Sequence, residues 1–225
     1  MTLYCLPIIK NRPFEIEKII ETNLKNYQYF EIWIDYINGF DLSFLDELIN
    51  KYDGRLIVVT RRQSLDPIRL AKNIRLKLIS RVCDSNALLD LDITTQKLEL
   101  EYIKVNHLLP NLITSYHNYQ LTPTRLSLNA IVLEMEQYNP AIYKLASHCP
   151  DNETALRLLH MLLDMRKNNK KTIIIGMGEH GKITRIYGAL WGNEINFAPL
   201  SITEASASGQ LTRHQYDVLI RELGK

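Results

Sequence analysis

Short β-prone runs alternate with longer amphipathic stretches from one end of the chain to the other, and that alternation limits the fold more than any other feature. The runs cover residues 3–9, 29–37, 55–61, 87–93, 111–117, 140–147, 172–177 and 194–200. Each has the length of a buried strand and is rich in Ile, Val, Leu or Tyr. Between them lie helical periods, with starts expected at Asp41, at Asp66, at Thr122 with Pro123 following, and at Asp151. The last of these runs to about Lys167, where Arg166, Lys167, Lys170 and Lys171 suit a helix C-terminus. Eight such units, with no repeat, low-complexity segment or Pro/Gly/Ser linker between them, leave a closed (β/α)8 barrel or an open doubly wound sheet. The count and the even spacing favour a single TIM barrel over residues 1–225.

Composition removes several classes of function. Lys+Arg 27 against Asp+Glu 25 gives a net charge of +2 with no long basic run, so nothing points to nucleic acid. The apolar runs are far too short to span a bilayer, and Lys10, Arg12, Glu15 and Glu17 interrupt any secretory leader early. Cys5, Cys83 and Cys149 are an odd number without C-x-x-C spacing, which suits a reducing cytoplasm and argues against a disulfide framework or a zinc site. The six histidines are scattered, so no metal is expected.

Strands covered on both faces should read as nearly continuous apolar runs. Five consecutive strands here do not. Glu31, Trp33 and Asp35 share one face of the second, and Thr60 and Arg62 are expected together at the end of the third. The fourth carries Asp90 and Asp92, the fifth Ser115 and His117, and the sixth Lys144 within Ala-Ile-Tyr-Lys-Leu-Ala. Any one of these fits a buried ion pair or a solvated strand end. Lys144 is harder to explain that way, because a mid-strand ammonium among apolar neighbours must be paired or lose its charge. A desolvated lysine is a nucleophile toward carbonyls, and His117 on the adjacent strand is then the available acid/base partner.

Two loops complete the reading. Gly176-Met-Gly178-Glu-His-Gly181 matches a dinucleotide fingerprint in local context, but it opens the seventh unit rather than the first. The favoured alternative is a tight turn that delivers Arg185 to the pocket, where its guanidinium would fork onto a carboxylate. After the eighth strand, the small-residue loop from Ala205 to Gln210 reads as a plain connection or as a mobile lid carrying Ser206 and Gln210.

These residues, in this order, resemble the type I 3-dehydroquinate dehydratases. The resemblance rests on Glu31-x-x-x-Asp35, Val59-Thr60-Arg61-Arg62, Ile113-Thr114-Ser115-Tyr116-His117, Ile142-Tyr143-Lys144-Leu145-Ala146, the segment Met177 to Arg185, and Ser206-Ala207-Ser208-Gly209-Gln210. It implies a (β/α)8 barrel in which Lys144 forms a Schiff base with the C3 ketone of 3-dehydroquinate. It further implies that His117 moves the C2 proton and assists loss of the C1 hydroxyl, giving 3-dehydroshikimate. By the same resemblance Arg185, Ser206 and Gln210 hold the substrate carboxylate, and Glu31 and Arg62 hold ring hydroxyls. No cofactor is implied, and a homodimer is common in the family.

The chain departs from the pattern at Trp33, where arginine is usual, and at Ser208, where proline is usual. An indole offers one N–H and no charge in place of a guanidinium. That change keeps two other readings open: a Schiff-base aldolase or lyase acting on another keto compound, and a non-catalytic carboxylate-binding barrel.

Overall fold

The computed structural model describes residues 2–60 and 69–223. Eight parallel strands alternate with eight helices among these residues. The strands are β1 (Tyr4–Ile8), β2 (Tyr29–Trp33), β3 (Leu56–Val59), β4 (Leu88–Asp92), β5 (Asn111–Asn118), β6 (Ile142–His148), β7 (Thr172–Met177) and β8 (Asn196–Phe197). The helices are α1 (Pro13–Asn23), α2 (Leu42–Tyr52), α3 (Lys72–Cys83), α4 (Lys97–Val105), α5 (Arg125–Glu136), α6 (Asn152–Lys167), α7 (Lys182–Trp191) and α8 (Arg213–Leu223). The strand order β7-β6-β5-β4-β3-β2-β1-β8 makes a nearly closed (β/α)8 barrel. At the seam, Glu194 N–H donates to the Thr172 carbonyl at 2.9 Å. The Asn193 side chain there accepts from Ile174 N–H at 2.8 Å and donates to the Ile174 carbonyl at 3.0 Å. A side-chain amide thus completes the strand edge that β8 is too short to cover.

Local signals place several elements as expected. Asp151 caps α6 in a reciprocal capping box with Thr154, and its backbone N–H bonds hold its carboxyl below the usual range. Asp41 caps α2 by accepting from Ser43 N–H at 3.0 Å. The α5 start differs: its cap is Thr124, whose hydroxyl accepts from Ser127 N–H, and not Thr122. The Thr122 hydroxyl instead donates to the His148 carbonyl at 2.8 Å, which ties the α5 approach to the end of β6. The expected start at Asp66 lies outside the described residues.

The strand interiors sort into two cores. Leu6, Phe30, Val58, Leu89, Leu112, Leu145 and Ile174 face the helices. Cys5, Ile57, Leu88, Ile113, Ile142, Ile173 and Ile195 fill the barrel interior. Thr60 does not fit the expectation of a cavity-facing pair with Arg62. Ile57 and Val59 take the inward positions of β3, and the Thr60 hydroxyl accepts from Gln96 Nε2 at 2.8 Å on the helix side. Asp35 also leaves the strand face, because β2 ends at Trp33 and a 3-10 turn follows. From that turn the Asp35 carboxylate accepts from the backbone of Arg69 at 2.6 Å and of Leu70 at 2.8 Å.

Candidate active site

TIM barrels fill their interior with layers of four side chains from alternate strands, usually branched apolar ones. One layer here breaks that rule. The even strands contribute Glu31 from β2, Asp90 from β4, Lys144 from β6 and Phe197 from β8. The Lys144 ammonium donates to Asp90 Oδ2 at 2.7 Å and to Glu31 Oε1 at 3.2 Å, and it sits 4.3 Å from the Phe197 ring centre. Ser115, beside Lys144 in the β5–β6 register, donates to Asp90 Oδ1 at 2.6 Å. All three ionisable groups are buried. Lys144 therefore keeps company with two carboxylates, which is the paired outcome of the alternatives its sequence context allowed.

The next level toward the strand C-termini holds the imidazole. His117 Nδ1 lies 2.8 Å from Asp92 Oδ2. Asp92 Oδ1 is held by Thr94 N–H at 2.8 Å, by Thr95 N–H at 3.1 Å, and by both threonine hydroxyls. Trp33 lies across the barrel and donates its indole N–H to Glu31 Oε2 at 2.8 Å. Both Glu31 oxygens thus have partners, one from the lysine and one from the indole.

Arg185 enters from α7 because the turn before it is unusually tight. Gly178 has φ +82°, and a Cβ on Gly181 would stand 2.4 Å from the Gly176 carbonyl carbon. The Thr184 hydroxyl locks the approach, accepting from Gly176 N–H and donating to the Gly181 carbonyl, both at 2.7 Å. The glycine pattern is thus helix-to-strand packing, which places α7 close enough for Arg185 to reach the interior. The guanidinium is 2% exposed and donates to the Ser208 carbonyl at 3.2 Å. Burial pushes its pKa down from the ordinary value, while a hydrogen bond with the Tyr216 hydroxyl opposes the shift. Its Nε has no partner, and among the described residues no carboxylate pairs with it.

Lys144, His117, Glu31, Trp33 and Arg185 line one cavity, roofed by Ser206, Ala207 and Gln210. Gln210 holds the roof by accepting from Ser206 N–H at 2.7 Å and donating to Ser206 Oγ at 2.9 Å. Six of the seven sequence-predicted site residues therefore meet in one place. The seventh, Arg62, and Arg61 beside it lie outside the described residues. Tyr119, which stacks on His117 with ring centres 6.2 Å apart, and Tyr216 were not identified from the sequence. Tyr119 follows His117 by two residues and shares its strand phase, so that signal was available. Tyr216 gave none, because its role depends on how α8 docks. Among the described residues no cluster of His, Cys, Asp and Glu is placed to hold a metal ion.

A buried guanidinium without a counter-charge costs stability until an anion arrives. Arg185→Leu should leave the ligand-free protein at least as stable as wild type by thermal melting. It should also abolish the rise in Tm that a carboxylate ligand gives the wild type. A wild-type Tm that ignores carboxylates would remove Arg185 from the binding role.

A family model described as Type I 3-dehydroquinase matches residues 4–224. A 3-dehydroquinate dehydratase from Methanococcus maripaludis is 29% identical over 215 residues, covering 93% of this chain and 94% of that protein. One from Coxiella burnetii is 34% identical over 109 residues, 48% of this chain and 46% of that protein, so this match spans about half its length. The crystal structure of 3-dehydroquinate dehydratase from Geobacillus kaustophilus has the same fold, with a TM-score of 0.84 at 23% identity over 100% of this chain and 91% of that one. With the match running through nearly every element that builds the cavity, the chain belongs to the type I 3-dehydroquinase family.

Proposed function

We propose that the chain converts 3-dehydroquinate to 3-dehydroshikimate and water through a Schiff base on Lys144, with His117 as general acid and base. The observation that carries this is a buried lysine amine opening onto the same cavity as an imidazole and a buried guanidinium with no carboxylate partner among the described residues. Such a set suits a substrate with a ketone, an acidic C–H beside it and a carboxylate. Asp90 Oδ2 and Glu31 Oε1 stand ready to receive the proton that the ammonium must lose before attacking the C3 carbonyl. Water leaves as the imine forms, and the protonated C=N is a better electron sink than the ketone. His117 takes the C2 proton, the electron pair moves into the C–N system, and expulsion of the C1 hydroxyl, protonated by His117, gives the conjugated product. Hydrolysis of the imine then frees Lys144. The iminium serves as the electron sink, so the step needs no metal or organic cofactor. Arg185, Ser206 and Gln210 are the proposed carboxylate subsite, and Glu31 with Arg62 the proposed hydroxyl subsite.

The direct test is to mix purified protein with 3-dehydroquinate and follow the ultraviolet absorbance of the enone. Borohydride added during turnover should place the substrate mass on Lys144. Absence of both signals at high substrate would reject the reading. A small-molecule substrate, no nucleic acid, a cytoplasmic location and a homodimer belong to the same proposal, and sedimentation of the purified chain checks the last.

A second reading, a Schiff-base lyase for another keto compound, is favoured by one observation: Trp33 takes a Glu31 oxygen that a substrate hydroxyl would otherwise use. Trp33→Arg should lower KM for 3-dehydroquinate by about tenfold or more, the worth of one charge-assisted contact. An unchanged KM would show that the indole lies off the substrate's path.

A further inference from the structure

We infer that Tyr216 is the positioning residue of the carboxylate subsite: its hydroxyl holds the Arg185 guanidinium in place without cancelling the charge that a carboxylate needs. This rests on the role proposed above for Arg185 and adds a residue that the subsite does not yet contain.

Helices α7 and α8 and strand β1 meet at this point. Tyr216 is the one fully buried side chain of α8 among the described residues, at 1% exposure. Its ring leans on Tyr4 of β1 with centres 5.8 Å apart, and the Tyr4 hydroxyl in turn donates to Asp217 Oδ1 at 2.8 Å. The ring is therefore fixed between helix and barrel, and it presents its hydroxyl to Arg185 of α7. A guanidinium carries donors only, so it donates to the phenol oxygen. The Ser208 carbonyl is a second acceptor, taking the N–H of Nη2 at 3.2 Å. Burial lifts the pKa of the phenol above its ordinary value although the guanidinium pulls the other way, so the phenol stays protonated. Both acceptors are thus neutral. An aspartate or glutamate at position 216 would grip the guanidinium harder but cancel its charge. A phenol fixes the direction of the planar group and leaves the whole charge to a ligand. The buried Nε has no partner, and it shares with Nη2 the edge of the guanidinium that forks onto a carboxylate.

Tyr216→Phe removes one oxygen and keeps the ring against Tyr4. Calorimetric titration with two probes isolates the effect: 3-oxocyclohexanecarboxylate carries a ketone and a carboxylate, and cyclohexanone carries the ketone alone. The wild type should bind the acid more tightly than the ketone. In Tyr216→Phe the acid should bind roughly tenfold more weakly while the ketone is unchanged, a split that a merely structural loss would not give. With 3-dehydroquinate the same variant should show a KM raised about tenfold and a kcat within about twofold of wild type, as expected when binding is lost equally in ground and transition states. A nitrogen-15 spectrum of arginine-labelled wild type needs no Tyr216 variant at all. The two Nη signals of Arg185, assigned by their absence in Arg185→Leu, should be resolved because the pinned guanidinium cannot rotate about Nε–Cζ. A wild type with no preference for the acid, a Tyr216→Phe variant that keeps the wild-type preference, or merged Nη signals in the wild type would each overturn the inference. Loss of the dehydration reading would appear separately, as wild-type protein that prefers the acid yet makes no enone.

Discussion

Lys144→Ala is expected to abolish turnover: the enone absorbance should stay at the uncatalysed rate, and borohydride should add no mass to the protein. In the proposed mechanism the lysine is the nucleophile, and no other described lysine lines the cavity to form the imine in its place. The same substitution should also cost stability, which a purely functional residue would not. Removing the ammonium leaves Glu31 and Asp90 buried at 2% and 0% exposure around the vacated position. Breaking a buried ion pair by deleting one partner typically costs about 3–5 kcal/mol. In a domain of this size each kcal/mol moves Tm by about 2–4 °C, so calorimetry should find a fall of roughly 10 °C. Adding Asp90→Asn to Lys144→Ala should recover part of that loss and none of the activity. Turnover in the single variant would remove Lys144 from its role. An unchanged Tm would mean that the carboxylates do not depend on it.

Much of this site was legible because charge stands out against apolar strands. Asp90, Asp92, Ser115, His117 and Lys144 recur with period two on three neighbouring strands, and in each the structure turns those positions inward. Where a strand is apolar on both faces that clue is missing. Leu56 to Val59 gives no phase, so the face of Thr60 could not be read from the sequence, and the structure turns it outward to Gln96. The β-prone run spans 194–200, but β8 pairs only at Asn196 and Phe197. Pro199 has no N–H to give a ladder, and the short strand leaves Asn193 to close the seam. Asp35 was misplaced for a related reason: the strand ends in a turn that alternation cannot announce, and its carboxylate works on the backbone of Arg69 and Leu70. The contact of Tyr216 with Arg185 depends on how α8 packs against α7, which no local pattern encodes.

His117→Ala should separate the two halves of the reaction. The amine of Lys144 lies on β6 and keeps its partners Asp90 and Glu31 on β4 and β2, so imine formation does not need the imidazole. Proton abstraction does. The variant should accumulate an adduct that borohydride traps on Lys144, one water heavier than the adduct of the dehydrated product. Enone should form on the order of 10²–10⁴-fold more slowly. Substrate deuterated at C2 should keep its label on the enzyme, because no other base lies between that carbon and solvent in the proposed chemistry. Stability should behave differently from Lys144→Ala. The His117 side chain is 11% exposed, and Asp92 would still be held by the Thr94 and Thr95 N–H groups after its removal. Its Tm should therefore fall by only a few degrees, the cost of one hydrogen bond and a small cavity, about 1–2 kcal/mol. A variant that melts within a few degrees of wild type, forms the adduct and stalls there is the signature of a proton-transfer residue. One that forms no adduct would instead place His117 in the carbonyl-addition step, and one that makes enone at the wild-type rate would release it from the mechanism altogether.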